Sequence, residues 1–428
     1  MRSLVGLLAG ALTSVIPATL PTQRVVPPRA AQSAAPVPTR QSGDALTVQL
    51  MTVGQGDPVW EKFGHNAIVI VDASTGAATA YNWGIFDFRQ PRFVQRFLTG
   101  DTKYWVAGYD AQAMVDFYRG ADRTVQVQRL NLTAAQKLAL RAFIEWNVRE
   151  DNKFYRYDYY RDNCSTRVRD VLDRILDGAL RAATVATAGD GSFRWHTQRL
   201  VADNPATYTG ITIALGARAD STLSRWDEMF IPMKVRDRLR ELRVSDGHGG
   251  TAPLVVEERT LYEAKRAPER VEPPRWTVWY LLAGLIVGAA IVGAARAAAR
   301  GRAVVHRALL LVAIGWTVGA VVVGVIVWLA GHMTRHVYWA DNASVFLFSP
   351  AWLLVLFPFG RLLRGRTVGT VGLACVTVGL VVLLVAIGVA FVRGGAAPIA
   401  AFMAPIVVAV GLATHALRAR PGASPTAG

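Results

Sequence analysis

Cysteine is scarce in this chain, two in 428 residues, and the scarcity excludes a good deal. Ahead of the apolar C-terminal third there is one cysteine, Cys164, so that part cannot be stapled by an internal disulfide. Paired cysteines and a His-x-x-x-His spacing are missing there too, which removes the usual zinc signatures; no metal and no other cofactor is expected. No phosphate-cradling glycine motif and no Gly-x-Ser-x-Gly elbow occurs. Acidic residues are outnumbered, 31 against 47 basic ones, for a net charge of +16. Such an excess suits nucleic acid. No basic-aromatic motif accompanies it, however, and nine arginines (Arg296, Arg300, Arg302, Arg307, Arg361, Arg364, Arg366, Arg418 and Arg420) simply flank apolar runs. Nucleic acid is therefore not an expected partner.

Those runs are of membrane length. Five spans are expected, at about 276–295, 308–330, 344–359, 368–392 and 397–414, the third short or tilted. One set of alternate loops holds the nine arginines and the other only Arg335, Asp341 and Arg393, which puts the first set in the cytoplasm. Everything before the first span is then extracytoplasmic. The N-terminus, MRSLVGLLAGALTSVIPATL, reads as a secretory signal or anchor and demands the same orientation. The expected organisation is a signal or anchor over 1–25, a disordered Pro/Ala/Ser linker over 26–45, a catalytic domain over 46–250, a linker over 251–275, membrane helices over 276–415 and a cytoplasmic tail over 416–428. The loop between spans two and three brings His332, His336, Trp339 and Asn342 to the outer lipid boundary, as an interfacial belt or as a substrate-contacting loop.

What the soluble part does have is the stretch YDYYRDNCSTRVRDVLDRIL, residues 157–176. Val168, Val171, Leu172, Ile175 and Leu176 recur at the spacing of one helix face, and Asp162 or Asn163 is a natural N-cap. Cys164 falls in the first turn, where the helix dipole favours a thiolate and the adjacent Asp162 opposes it. A burial site for a small hydrophobe would not be ringed by Arg161, Asp162, Asn163, Ser165, Thr166 and Arg167. A thiol nucleophile needs a base. Residues 67–71 and 79–83 form an expected hairpin about Ser74-Thr75-Gly76, with His65 at its start facing the neighbourhood of Asn82 to Gly84, where Asn82 can fix the imidazole tautomer. Trp60, Phe63 and Tyr81 would wall the site. His306 and His415 lie on the cytoplasmic side, His196 reads as a packed structural residue, and His248 sits in a turn, DGHGG.

Around these, helices are expected over 91–98, 111–119 and 133–150, strands over 104–108 and 125–130, a loop after Gly178, a helix or strand over 211–216, a helix starting at 222–229, and another over 235–242. The expected class is an α+β domain followed by an all-α transmembrane bundle.

The segments WEKFGH, YNWGIFDF and YDYYRDNCSTRVRDVLD, with the later DSTLSRWDEMFIPMKVRDRL and HVYWADNASVFLFSPAWLL, resemble Lnb-type lipoprotein N-acyltransferases. The order of histidine, polar strand residue and helix-start cysteine also resembles the permuted NlpC/P60 branch of papain-like folds. The resemblance implies Cys164 as nucleophile and His65 as base; Asn82 as third member is read from the hairpin. It further implies a phospholipid acyl donor, a membrane-anchored lipoprotein acceptor, and an acyl-thioester on Cys164. Asn163, Arg161, Arg167, Trp60, His336 and Asn342 are the expected substrate contacts. The same dyad would also suit a membrane-tethered cysteine peptidase or amidase acting on cell-wall peptides, and a non-catalytic assembly protein could keep the box for packing.

Overall fold

The computed structural model of the chain describes residues 43–245 and 250–418. The expected signal, nearly all of the linker after it, the turn at 246–249 with His248, and residues 419–428 of the tail lie outside the described residues. Strands β1 (Leu46–Val53), β2 (His65–Asp72), β3 (Ala77–Ile85), β4 (Lys103–Asp110), β5 (Val125–Leu130), β6 (Phe154–Arg156) and β7 (Val255–Tyr262) form one antiparallel sheet in the order β7-β5-β1-β2-β3-β4-β6. The helices preceding the membrane-length segments are α1 (Phe93–Thr99), α2 (Ala111–Gly120), α3 (Ala134–Asn147), α4 (Cys164–Ile175), α5 (Ala179–Thr184), α6 (Phe193–Leu200), α7 (Pro205–Ala214) and α8 (Pro232–Glu241).

Two compact units result. The first, comprising the described residues of 43–190 and 223–269, is the α+β unit. Successive residues of its strands point to opposite faces, and each face is covered by its own helices. Leu46, Val48, Leu50, Ile68, Ile70 and Trp83 pack with Leu140, Ile144, Val168, Leu172, Val235 and Leu239 of α3, α4 and α8. Met51, Val53, Ala67, Val69 and Ala80 pack with Met114, Val115 and Tyr118 of α2. The β2–β3 turn is where the sequence puts it: the Asp72 carboxylate accepts the Ser74 N–H at 2.9 Å, and Gly76, at φ 72°, closes the reversal.

Three expectations need correction. The linker expected over 251–275 contains β7, paired with β5. Its VVEERTLY run lacks apolar alternation because it is an edge strand, protected by charge, and Glu257 meets Arg129 at 3.0 Å. The loop expected after Gly178 contains α5, anchored by the buried Leu180. The helix expected from Thr222 is instead an extended piece, 222–224, then a single 3₁₀ turn at Asp227–Phe230, where Asp227 holds the Ser224 hydroxyl at 2.6 Å.

The second unit comprises residues 191–222 and 270 onward, so α6 and α7 belong with the helices α9 (Thr277–Ala299), α10 (Ala303–Met333), α11 (Ser344–Leu347), α12 (Ala351–Leu363), α13 (Thr370–Arg393) and α14 (Ala397–Arg418). Five segments are long and apolar enough to cross a membrane, α11 and α12 together making the third, as expected. The loop 331–344 binds the earlier segment through Asn342, whose Nδ2 donates to the Ile213 and Ala214 carbonyls, both at 2.8 Å, while its Oδ1 accepts the Ser344 N–H at 2.8 Å. The Gly216 N–H donates to the Tyr338 carbonyl at 2.7 Å, and a Cβ at Gly216 would overlap the Ala340 carbonyl oxygen. All of Asn342's polar atoms thus serve the backbone. Asn342→Ala should lower the stability of the purified full chain by about 2–4 kcal/mol, read as a fall in its thermal midpoint. Gly210→Ala, a mid-helix change with open space around it, should raise the midpoint slightly.

Candidate active site

Of the two caps available to α4, Asn163 takes the position. Its Oδ1 accepts the Ser165 and Thr166 N–H groups at 2.8 and 2.9 Å, and the Thr166 hydroxyl accepts the Asn163 N–H at 2.8 Å, a reciprocal box. Its Nδ2 donates to the Tyr159 and Phe230 carbonyls at 3.0 and 2.9 Å. Asn163 is therefore engaged on every polar side-chain atom in building the helix start. Asp162, expected to oppose a thiolate, is paired: Arg167 Nη2 donates to its Oδ2 at 2.8 Å. The same guanidinium lies 4.0 Å over the Tyr155 ring.

Cys164 then enters a fork in the sheet. β2 and β3 are paired from Asp72–Ala77 to Ile68–Tyr81 and part beyond that point. The end of β2 stays with β1, His65 opposite Val53; the end of β3 stays with β4, through an irregularity between Asn82 and Ile85. Gly84 sits in that irregularity at φ 91°, and a Cβ there would lie 3.5 Å from the Cys164 Cβ. From the other prong, the Asn66 backbone N–H hydrogen-bonds the Cys164 sulfur. The Asn66 side chain holds that prong against the helix, donating to the Ser165 hydroxyl at 3.2 Å and the Pro232 carbonyl at 3.3 Å, and accepting from Thr52 at 3.0 Å.

His65 and Asn82 join the prongs, with His65 Nε2 2.9 Å from Asn82 Oδ1. Asn82 is fully buried, and its Nδ2 donates to the Ala80 carbonyl at 2.9 Å and approaches the Met114 sulfur at 3.0 Å. That orientation leaves only an accepting oxygen toward the imidazole. Nε2 must carry the proton and Nδ1 the lone pair. The His65 ring also lies 6.3 Å from that of Tyr118. Burial drives the His65 pKa down to about 4, against the Asn82 bond, which raises it; Arg123 nearby lowers it further. Burial likewise pushes the Cys164 thiol up, partly offset by the Asn66 and Ser165 N–H groups and by Arg123. The resting pair is a neutral imidazole and a protonated thiol. The helix start favours a thiolate, but desolvation outweighs it until something draws the proton away.

Two neighbours escaped sequence reading. The Tyr155 hydroxyl is buried without a hydrogen-bond partner among the described residues, 3.9 Å from where a Gly84 Cβ would stand. Arg123 is buried, its Nε donating to the Gly54 carbonyl at 2.9 Å and its Nη1 lying 3.1 Å from Glu61, with the guanidinium 4.9 Å over the Tyr118 ring. Tyr155 stands in a run of four tyrosines that offers no means of choosing one; Arg123 follows a tight turn at Asp122, φ 51°.

The remaining expected contacts belong to other elements. Trp60 is half exposed, edge-on to Phe88 at 5.6 Å, and Phe63 packs near Phe230 at 6.2 Å. Arg161 is exposed, its backbone N–H on Asp158. His336 belongs to the second unit, stacked on Trp339 at 5.4 Å, as does Asn342. His196 is buried, its Nδ1 accepting from Arg199 Nε at 3.1 Å, a packed residue as expected. No group of three or more metal-ligating side chains occurs among the described residues.

Residues 39–204 match the model of the family described as the Lnb N-terminal periplasmic domain. No curated protein and no solved structure matches the chain.

The imidazole provides a test of this geometry. Unfolded, His65 takes a proton near its ordinary 6.5; folded, only near 4. Stability linked to it should be complete above pH 6.5, fall as the pH drops from 6.5 toward 4, and change no further below. Urea unfolding at pH 7 and pH 4.5 should show a smaller acid loss for His65→Gln than for the parent chain.

Proposed function

We propose, from a domain that belongs to the Lnb N-terminal periplasmic domain family and is followed by five helices able to cross a membrane, that this multi-pass protein is a cysteine-dependent lipoprotein N-acyltransferase. The observation that carries the reading is the fork: a helix-start thiol beside Gly84 and the Asn66 N–H, with an imidazole on the same prong whose tautomer Asn82 dictates. A permuted papain-like order of base, orienter and nucleophile fits this arrangement.

In the first half-reaction His65 Nδ1 takes the thiol proton as the sulfur attacks the ester carbonyl of a phospholipid. The tetrahedral intermediate collapses, the carbon–oxygen bond breaks, and the imidazolium returns its proton to the departing lysophospholipid oxygen. An acyl-thioester remains on Cys164. In the second half the neutral α-amine of a lipoprotein's N-terminal cysteine attacks the thioester. It loses a proton to His65, the carbon–sulfur bond breaks, and the thiolate leaves to be reprotonated; the product is an amide. The charge on the intermediate's oxygen needs donors. Asn163 absorbs the Ser165 and Thr166 N–H groups, so the Cys164 N–H and the Tyr155 hydroxyl are the donors assigned here. The low imidazole pKa keeps the base unprotonated across the neutral range, which the first step requires.

The membrane is assigned as the bacterial inner membrane, with the arginine-bearing loops cytoplasmic and the Cys164 domain outside. Both substrates are lipid-anchored, so an enzyme fixed in the same bilayer searches two dimensions rather than three.

In a host lacking other N-acyltransferases, Cys164→Ala and His65→Ala should leave lipoproteins with free α-amines; triacylation unchanged in Cys164→Ala would eliminate the proposal. The purified protein incubated with phospholipid should show an acyl adduct on Cys164 by mass spectrometry. Peptidoglycan cleavage by the purified chain without any lipid requirement would point instead to a peptidase. Tyr155→Phe should lower kcat about 100- to 1000-fold while leaving the thioester detectable, as loss of one oxyanion donor does.

A further inference from the structure

The first unit exposes a set of large apolar side chains that its own core does not explain. Val59, Trp60, Phe88, Val94 and Phe97 are 44%, 45%, 53%, 58% and 52% exposed. Their rings form one chain in space: Trp60 to Phe88 at 5.6 Å, Phe88 to Phe93 at 5.1 Å, and Phe93 to Phe97 at 6.3 Å. Helix α1 buries none of its residues, although it is FVQRFLT in sequence. A short helix that leaves phenylalanine and valine in water is unstable on its own account and calls for a covering surface.

The patch is continuous with the site. β3 passes Cys164 at Gly84 and two residues later reaches Phe86, whose ring touches Phe88 at 5.0 Å and Tyr104 at 5.0 Å. Tyr104 in turn stacks on Tyr157 at 4.3 Å, in the segment that leads to α4. Arg89 and Arg92 are exposed along the edge of the same strip, with Arg96 in its helix. Aromatic rings flanked by arginines are the composition that settles at the boundary of a bilayer, rings among the upper acyl chains and guanidinium groups at phosphates. The same chain enters a helix long and apolar enough to cross a membrane at Thr277, which supplies the reason to choose a bilayer as the occupant. A protein partner would be expected to find its hydrogen-bonding and charged complement within the patch, whereas this one is almost wholly hydrocarbon in its middle.

We infer that the 59–60 turn and the 86–97 strap form a lipid-docking face that inserts into the outer surface of the bilayer and delivers acyl chains of a phospholipid toward Cys164. The delivery part rests on the acyl-transfer reading; the docking part does not.

The full chain, reconstituted in vesicles of phosphatidylethanolamine and phosphatidylglycerol, provides the test. A photoreactive benzophenone amino acid is placed at Val94 or Phe97, and for comparison at Asp116, exposed on α2. After illumination, phospholipid adducts at 94 and 97 should exceed those at 116 by about ten-fold or more, in the parent background and in Cys164→Ala alike. Equal adducts at all three positions, or adducts to a co-reconstituted lipoprotein in place of lipid, would overturn docking whatever the enzyme does. A second measurement isolates delivery. Phe88→Ser with Phe97→Ser should reduce acyl-thioester formation from bilayer phospholipid about ten-fold yet leave it unchanged with a short-chain, monomeric phospholipid. Equal loss on both donors would overturn delivery, and adducts to lipid without any thioester in the parent chain would leave docking standing while removing the acyltransferase.

Discussion

Everything at the candidate site follows from the parting of two strands. β2 and β3 share a ladder only as far as Ile68 and Tyr81, and the gap beyond is filled by the first turn of α4. A helix start can occupy such a gap because its leading N–H groups need acceptors, and Asn163 supplies them internally through Ser165 and Thr166. At Gly84 an added Cβ would only touch the Cys164 Cβ, so the demand for glycine comes from the left-handed backbone, which glycine adopts without strain. Asn66, buried between sheet and helix, ties one prong to α4 with its amide and presents its own N–H to the sulfur. Consecutive residues of one strand thus do opposite things: Asn66 faces the helix, and His65 faces Asn82.

Much of this was legible in the sequence, for reasons that can be stated. The helix face of Val168, Val171, Leu172 and Ile175, the cap before it and the hairpin about Gly76 are local signals, strong because spacing and turn chemistry agree. The hairpin about Gly76 could be expected to bring His65 near residues 82–84, but the bond to Asn82 itself forms beyond the last ladder pair, Ile68–Tyr81, where the strands have parted. What escaped were features fixed by distant partners. β7 is an edge strand with a charged middle, Glu257-Glu258-Arg259, and only its pairing with β5 makes it a strand. Tyr155 matters through where its hydroxyl ends up, which no run of tyrosines discloses. The protonation states were not legible for a related reason: the helix start favours a thiolate and Asp162 opposes it, while burial of the sulfur is a property of the assembled fold.

The second unit shows the same dependence on tertiary partners. Residues 191–222 precede α8 in the chain, yet Asn342 and Gly216 bind them to the loop 331–344, so sequence order and spatial membership part company. Arg194 completes that arrangement, donating to the Leu215 and Gly216 carbonyls at 2.8 and 3.0 Å while its Nε meets Asp220 at 2.6 Å. A buried guanidinium with all these acceptors is fixed in place, and Arg194 and Asn342 both hold backbone of the same unit.

The high thiol pKa has a consequence for survival outside the cell's reducing interior. Peroxides, stray disulfides and electrophiles react with ionised sulfur far faster than with the protonated form. Cys164, partly buried and with its thiol pKa raised, stays in the protonated form and is shielded from sulfenylation and mixed-disulfide capture. The fork thereby lets an unpaired cysteine persist where oxidation would otherwise be its fate.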